Sequence, residues 1–166
     1  MISFKIGASG QTLHFSDEVL RRFAAYRQTR FWHREAGGLL FARIIGNDIT
    51  LEEATGPRRS DRRSRYSYQG DRRLEQREID ERHGRGLDYV GDWHTHPEPR
   101  PRPSGDDDLA MTSRVRESRH QLNGFVFAIV GTAPFPSGLT VAIHDGYNRV
   151  VLPPCGPSAA DTPHFD

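Results

Sequence analysis

Lysine is almost missing from this chain: of 23 basic side chains, Lys5 alone is a lysine and the rest are arginine. Cysteine occurs once, at Cys155. A single thiol excludes an internal disulfide and a thiolate zinc knuckle, so any metal site must be built from histidine and carboxylate. No apolar run approaches the roughly 18 residues needed to cross a bilayer, and Met1 to Lys5 leads into no signal-peptide core. A cytoplasmic chain without membrane contact is the expectation. Neither sign of charge dominates: 23 basic against 22 acidic residues leave a net charge of +1, which gives no global field of the kind that marks a nucleic-acid binder. The chain is polar, yet apolar runs such as Phe125 to Val130 exclude wholesale disorder. Its 166 residues suit one compact domain, expected over 1–152, followed by a flexible C-terminal tail over 153–166.

What is present reads as strands interleaved with three helices. Ile2 to Ile6 and Gln11 to Phe15 have the look of short strands around the turn residues 7–10. Ser16 resembles an N-cap, with Asp17 and Glu18 where the helix dipole favours negative charge. Val19, Leu20, Phe23 and Ala24 then follow at helical spacing, which predicts a helix over about 17–30. Gly37 to Ile45 and Ile49 to Thr55 form a hairpin around Gly46, Asn47 and Asp48. Seven arginines crowd between Arg58 and Arg73 against Asp61 and Asp71, either as a solvated loop or as a dock for an acidic partner surface. Asp71 to His83 reads as a charged helix packing through Leu74 and Ile79, and Leu87 to His96 as a strand broken by Pro97. A third helix starts at Ser104 and runs to about Arg119. Phe125 to Val130 suits a buried central strand, with two more strands over 140–144 and 149–152. The sum is a mixed α/β sandwich.

Chemistry concentrates in His94-Thr95-His96-Pro97 and Ser104-Gly105-Asp106-Asp107. Side chains alternate along a strand, so His94 and His96 share a face and can reach one ion while Thr95 points away. Ser104 and Asp107 fit a capping box, which fixes the helix start and aims the carboxylate at the strand end. Two imidazoles and one carboxylate suit zinc, with a fourth position open to water. Such water needs a base, and Glu35, entering a strand through Gly37 and Gly38, is the candidate; the Ser104 hydroxyl is the candidate oxyanion donor. Asp106 and Asp108 become alternatives to Asp107 if the helix register shifts.

These residues resemble the JAMM (JAB/MPN/Mov34) metalloproteases, whose signature is an upstream glutamate, then His-x-His-Pro, then Ser-x-x-Asp. The matching positions are Glu35, His94, His96, Ser104 and Asp107. The resemblance implies a single-domain MPN sandwich, related in layout to cytidine deaminases, and a hydrolase: a zinc isopeptidase with one Zn2+ per chain, Glu35 as base and Ser104 as oxyanion donor. A narrower likeness to the bacterial JAB proteases of CBASS anti-phage operons rests on the segments 35–40 and 89–98. It implies partners made by an E1-E2-like conjugation system, namely a ubiquitin-like modifier or a nucleotidyltransferase conjugated through its C-terminus. The alternative is a non-catalytic MPN scaffold that only binds partners. Few lysines would suit a protein working among lysine-conjugating enzymes, and codon bias explains them as well.

Other residues carry less. His33 is expected at the surface or behind the site, and His14, His83, His120, His144 and His164 have no partner at ligand spacing. Trp93 is expected in the core, Trp32 either lines a groove or packs on the first helix, and Pro99 to Pro103 either spaces the ligands or walls a channel for an extended chain. Cys155 is assigned no chemistry.

Overall fold

A computed structural model describes residues 1–118 and 122–156. Eight strands form one mixed sheet in the order β1 (Ile2–Lys5), β2 (Thr12–Phe15), β4 (Asp48–Ala54), β3 (Gly37–Ile45), β7 (Asp88–Thr95), β8 (Phe125–Val130), β9 (Leu139–His144), β10 (Arg149–Leu152). Helix α1 (Asp17–Ala25) covers one face; α2 (Arg72–Gly84) and α3 (Gly105–Glu117) cover the other. A two-stranded hairpin, β5 (Arg62–Arg63) with β6 (Tyr68–Gln69), stands apart. This is the α/β sandwich expected of an MPN fold.

Alternation along the central strands sorts the core into layers. Leu40, Ala42, Val126, Ala128 and Val130 face α1 and pack with Val19 and Phe23. Phe125, Phe127 and Ile129 turn the other way against Met111 and Val115 of α3, while Leu39 and Phe41 meet Leu87 and Ile79 near α2. β8 is buried on both faces, which is why its six residues are all apolar. Trp93 belongs to the α1 layer, against Phe23, with its indole N–H donating to the Thr55 carbonyl at 2.9 Å.

The first helix, the β3–β4 turn and the buried face of α2 differ from the sequence expectations, and two later segments gain partners. The first helix stops at Ala25, well short of 30, because the chain then turns inward at Gln28, whose amide is buried and bonds the Arg65 carbonyl. The β3–β4 turn has two residues, Gly46 and Asn47, with Gly46 at φ +57. The buried residue of α2 is Glu75, not Leu74. Pro99 and Pro101 pack on the β8–β9 hairpin, where the Ala133 N–H in the connection donates to the Pro99 carbonyl and Thr140 Oγ1 of β9 to the Pro101 carbonyl. Pro154 and Cys155 lie antiparallel along β1, with the Cys155 N–H on the Ser3 carbonyl at 2.8 Å. Residues 157–166 of the expected tail, with His164, and His120 fall outside the described residues.

Candidate metal centre

Three elements converge on one end of the sheet. β7 supplies His94 on the α2/α3 face, and the chain carries His96 one step beyond the strand end, where its N–H still bonds the Val130 carbonyl at 2.9 Å. Thr95 between them is fully buried; its hydroxyl donates to Gln28 Oε1 at 2.8 Å and accepts from the Ala36 N–H at 2.9 Å. α3 supplies Asp107 through the expected capping box: Ser104 Oγ accepts from the Asp107 N–H at 3.1 Å and Asp107 Oδ2 accepts from the Ser104 N–H at 2.6 Å.

The donor atoms lie close together. His94 Nε2 is 3.1 Å from His96 Nε2 and 3.1 Å from Asp107 Oδ1, and His96 Nε2 is 3.3 Å from Asp107 Oδ2. Four donors around zinc at bond lengths of about 2.0–2.1 Å stand about 3.3 Å apart along each tetrahedral edge. The two imidazole nitrogens and the Asp107 carboxylate, which meets His94 through Oδ1 and His96 through Oδ2, are therefore spaced as neighbouring ligands of one ion would be, and the imidazole and carboxylate chemistry suits a borderline metal ion. Glu35 is the fourth acidic or basic group here, with ligand atoms of Glu35, His94 and His96 all within 4.8 Å of one another. Asp107 holds the tighter position against both imidazoles, which leaves Glu35 beside the set. Asp106 and Asp108 stand outside it, and Asp108 pairs with Arg149.

The electrostatics follow burial and contact. Glu35 is 5% exposed, and burial pushes its carboxyl up to about 7 against the opposing pull of His94 and His96. Burial also disfavours charge on His96, but hydrogen bonding and attraction to Asp107 win and raise its pKa. For Asp107 the burial penalty is overcome by the bonds from both imidazoles, and the carboxyl sits far below the usual range.

The backbone of Glu35 is held from two sides. Its N–H donates to Ser64 at 2.7 Å and its carbonyl accepts from Arg63 Nε at 2.7 Å, so the arginine-rich segment is a strut for the glutamate. The next residues run against β7 and Thr55: a Cβ on Gly38 would lie 1.8 Å from the Thr55 carbonyl, and one on Gly37 would strike Trp93 O and the Tyr68 ring at 2.6 Å. That close approach is what the paired glycines permit.

Three groups escaped sequence reasoning. Asp92, two residues before His94 on the same face, bonds Arg114 Nε at 2.7 Å, and Arg114 Nη2 bonds the buried Glu75 at 2.9 Å. Arg114 lies seven residues after Asp107, two helical turns along one face of α3. The only available signal was that double periodicity. The whole arrangement opens on a groove of about 840 Å³, lined by Glu35, His94, His96, Ser104 and Asp107 together with Arg65, Tyr66 and Tyr68.

A mixed sandwich with a His-His-carboxylate cluster beside a buried glutamate defines a candidate metal centre of the kind found in metal-dependent hydrolases. A family model described as prokaryotic homologs of the JAB domain matches residues 16–141, and the chain belongs to that family. It is 36% identical, over 72% of its length and 77% of the relative's, to a Pseudomonas aeruginosa protein named CD-NTase/cGAS isopeptidase. An Escherichia coli protein of the same name is 31% identical over 49% of this chain and 54% of its own. The solution structure of a Desulfitobacterium hafniense protein matches with a TM-score of 0.60 at 20% identity, covering 84% of this chain and 88% of the other, and so shares the fold.

Proposed function

We propose that this protein is a zinc-dependent isopeptidase that releases a protein conjugated through its C-terminus, a CD-NTase of the type named for its relatives or a ubiquitin-like modifier, from a lysine side chain. The E1-E2-like enzymes that make such conjugates are its functional counterpart. The observation that carries the reading is the 3.1 to 3.3 Å spacing of His94, His96 and Asp107 donors with the Glu35 carboxylate alongside.

His94, His96 and Asp107 would hold the ion. When bound, zinc supplies Lewis acidity, polarising a carbonyl and lowering the pKa of water towards about 7. Glu35 accepts the proton as water adds to the isopeptide carbonyl, its buried carboxylate standing beside the two imidazoles. The Ser104 hydroxyl accepts from the Asp107 N–H, which leaves its own proton free to donate to the developing oxyanion. As the C–N bond breaks, Glu35 passes its proton to the departing lysine nitrogen, and the products are a free carboxylate and an amine.

The test is Glu35→Gln in zinc-loaded protein. Turnover of a lysine-linked conjugate falls by at least about 100-fold, while bound zinc, measured by metal analysis, stays at one per chain. Normal turnover by that variant, or a wild-type chain that binds no zinc, sinks the reading.

A further inference from the structure

Three large aromatic side chains are exposed beside the groove: Phe31 at 78%, Trp32 at 60% and Tyr66 at 75%. They come from two separate loops that Arg65 ties together. Its Nη1 donates to the Phe31 and Arg30 carbonyls at 2.6 and 3.1 Å, and its Nε to the Tyr66 hydroxyl at 3.2 Å. Phe31 and Trp32 stack edge to face at 5.0 Å, with the Arg30 guanidinium 5.5 Å from the Trp32 ring. Hydrophobicity alone would have drawn these rings inward, and a rigid aromatic cluster in water marks an interaction surface.

Its rim is cationic. Arg58, Arg63 and Arg65 are taken up as internal struts, to Glu78, Glu35 and the Phe31 loop respectively. Arg30, Arg34 and Arg62 are exposed, and among the described residues none of them meets a carboxylate within ion-pair distance. Arg65 and Tyr66 also line the groove that leads to His94 and His96, so the patch is continuous with it.

We infer that Phe31 and Trp32, with the Arg30 guanidinium over the Trp32 ring and exposed Arg34 two residues further along the same loop, dock the folded body of the conjugated protein through an apolar surface bordered by aspartate and glutamate. This rests on the reading above, because the docked body is the one whose C-terminal segment enters the groove. The patch gives the enzyme a hold on the substrate remote from the scissile bond, and acts on substrate capture.

The experiment compares two substrates in the zinc-loaded full chain: an intact CD-NTase joined by its C-terminus to a dye-labelled lysine, and a peptide of only its last residues joined to the same lysine. Phe31→Ser/Trp32→Ser raises KM for the intact conjugate by about tenfold, leaves kcat and peptide hydrolysis as they were, and keeps the melting temperature. Arg30→Glu/Arg34→Glu does the same. An equal fall on both substrates, or no change on the intact one, overturns the inference. Binding of the intact conjugate to Glu35→Gln enzyme separates the two readings: if the wild type cleaves nothing, yet the patch variants still weaken this binding, docking stands and hydrolysis falls. Should the patch variants lose binding of a DNA or RNA oligonucleotide and keep conjugate binding, the surface belongs to nucleic acid and the inference is wrong.

Discussion

At Glu35, burial and neighbouring charge pull in opposite directions, and burial wins. Its pKa in the folded, metal-free chain rises from 4.5 to about 7. A carboxyl whose folded pKa is raised contributes stability that is fully present below about 4.5 and lost as pH climbs through 7. His96, also raised, acts in the same sense, while Asp107, held low, contributes above its ordinary range and loses that only in acid. Metal-free protein is therefore more stable at pH 5.5 than at pH 8. Glu35→Gln removes the Glu35 share of this slope. In urea denaturation after EDTA treatment, the variant gains about 2 kcal/mol on the wild type between pH 5.5 and pH 8. Parallel profiles for the two proteins would show that Glu35 does not titrate in this window.

At the scale of elements, α3 is bound to β7 by two rungs: Asp107 against His94, and Arg114 against Asp92. Arg114 also reaches Glu75, so α2 joins the same clamp. Burial works against charge on the guanidinium, but attraction to Asp92 and Glu75 outweighs it and raises its pKa further. Arg114→Met leaves Asp92 without its cation and Glu75 with only the longer contact to Arg58 at 3.8 Å, and costs about 3 to 5 kcal/mol in urea denaturation. Glu75→Gln and Asp92→Asn placed on top of it recover most of that loss, and a triple variant as weak as the single one would refute the clamp. Because the clamp and the ligand pair share one helix face, Arg114→Met also weakens zinc binding, read by competition with a chelating dye, by about 10-fold.

Local chemistry made much of this legible beforehand. The Ser104 and Asp107 capping box and the shared face of His94 and His96 are short-range patterns, and the structure realises both geometries. Long-range devices were not legible. The burial of Glu75 depends on an arginine 39 residues away, so a helical apolar pattern pointed to Leu74 instead. Strict alternation in β7 also fails, because Val90 and Gly91 together oppose Leu40 in a bulge. Gly91 has φ +153, and a Cβ there would lie 1.7 Å from the Val126 carbonyl. Gly91→Ala must part β7 from β8, and its melting temperature drops steeply, by at least 10 °C; an unchanged melt would mean the bulge relaxes freely.

Across the whole molecule, charge is balanced in number but not in place. The net charge of +1 gives little long-range attraction to any partner, whereas exposed Arg30 and Arg34 flank the Phe31 and Trp32 pair in a loop that Arg65, itself a groove residue, ties down. Attraction between such a rim and an acidic surface acts within roughly one Debye length, about 10 Å at 0.1 M salt and about 3 Å at 1 M. Encounter with an intact conjugate is thus steered by the rim, and salt acts mainly on the association rate. The donor set is different: His94, His96 and Asp107 are more than four-fifths shielded from solvent, and a short peptide reaching them does not depend on the rim. Raising sodium chloride from 0.05 to 0.5 M then lowers kcat/KM for the intact conjugate by about 10-fold and leaves that for the peptide nearly level. Arg30→Glu/Arg34→Glu enzyme starts lower on the conjugate and loses most of its salt dependence. Equal salt curves for the two substrates would place the sensitivity at the site itself, and the rim would have no part in capture.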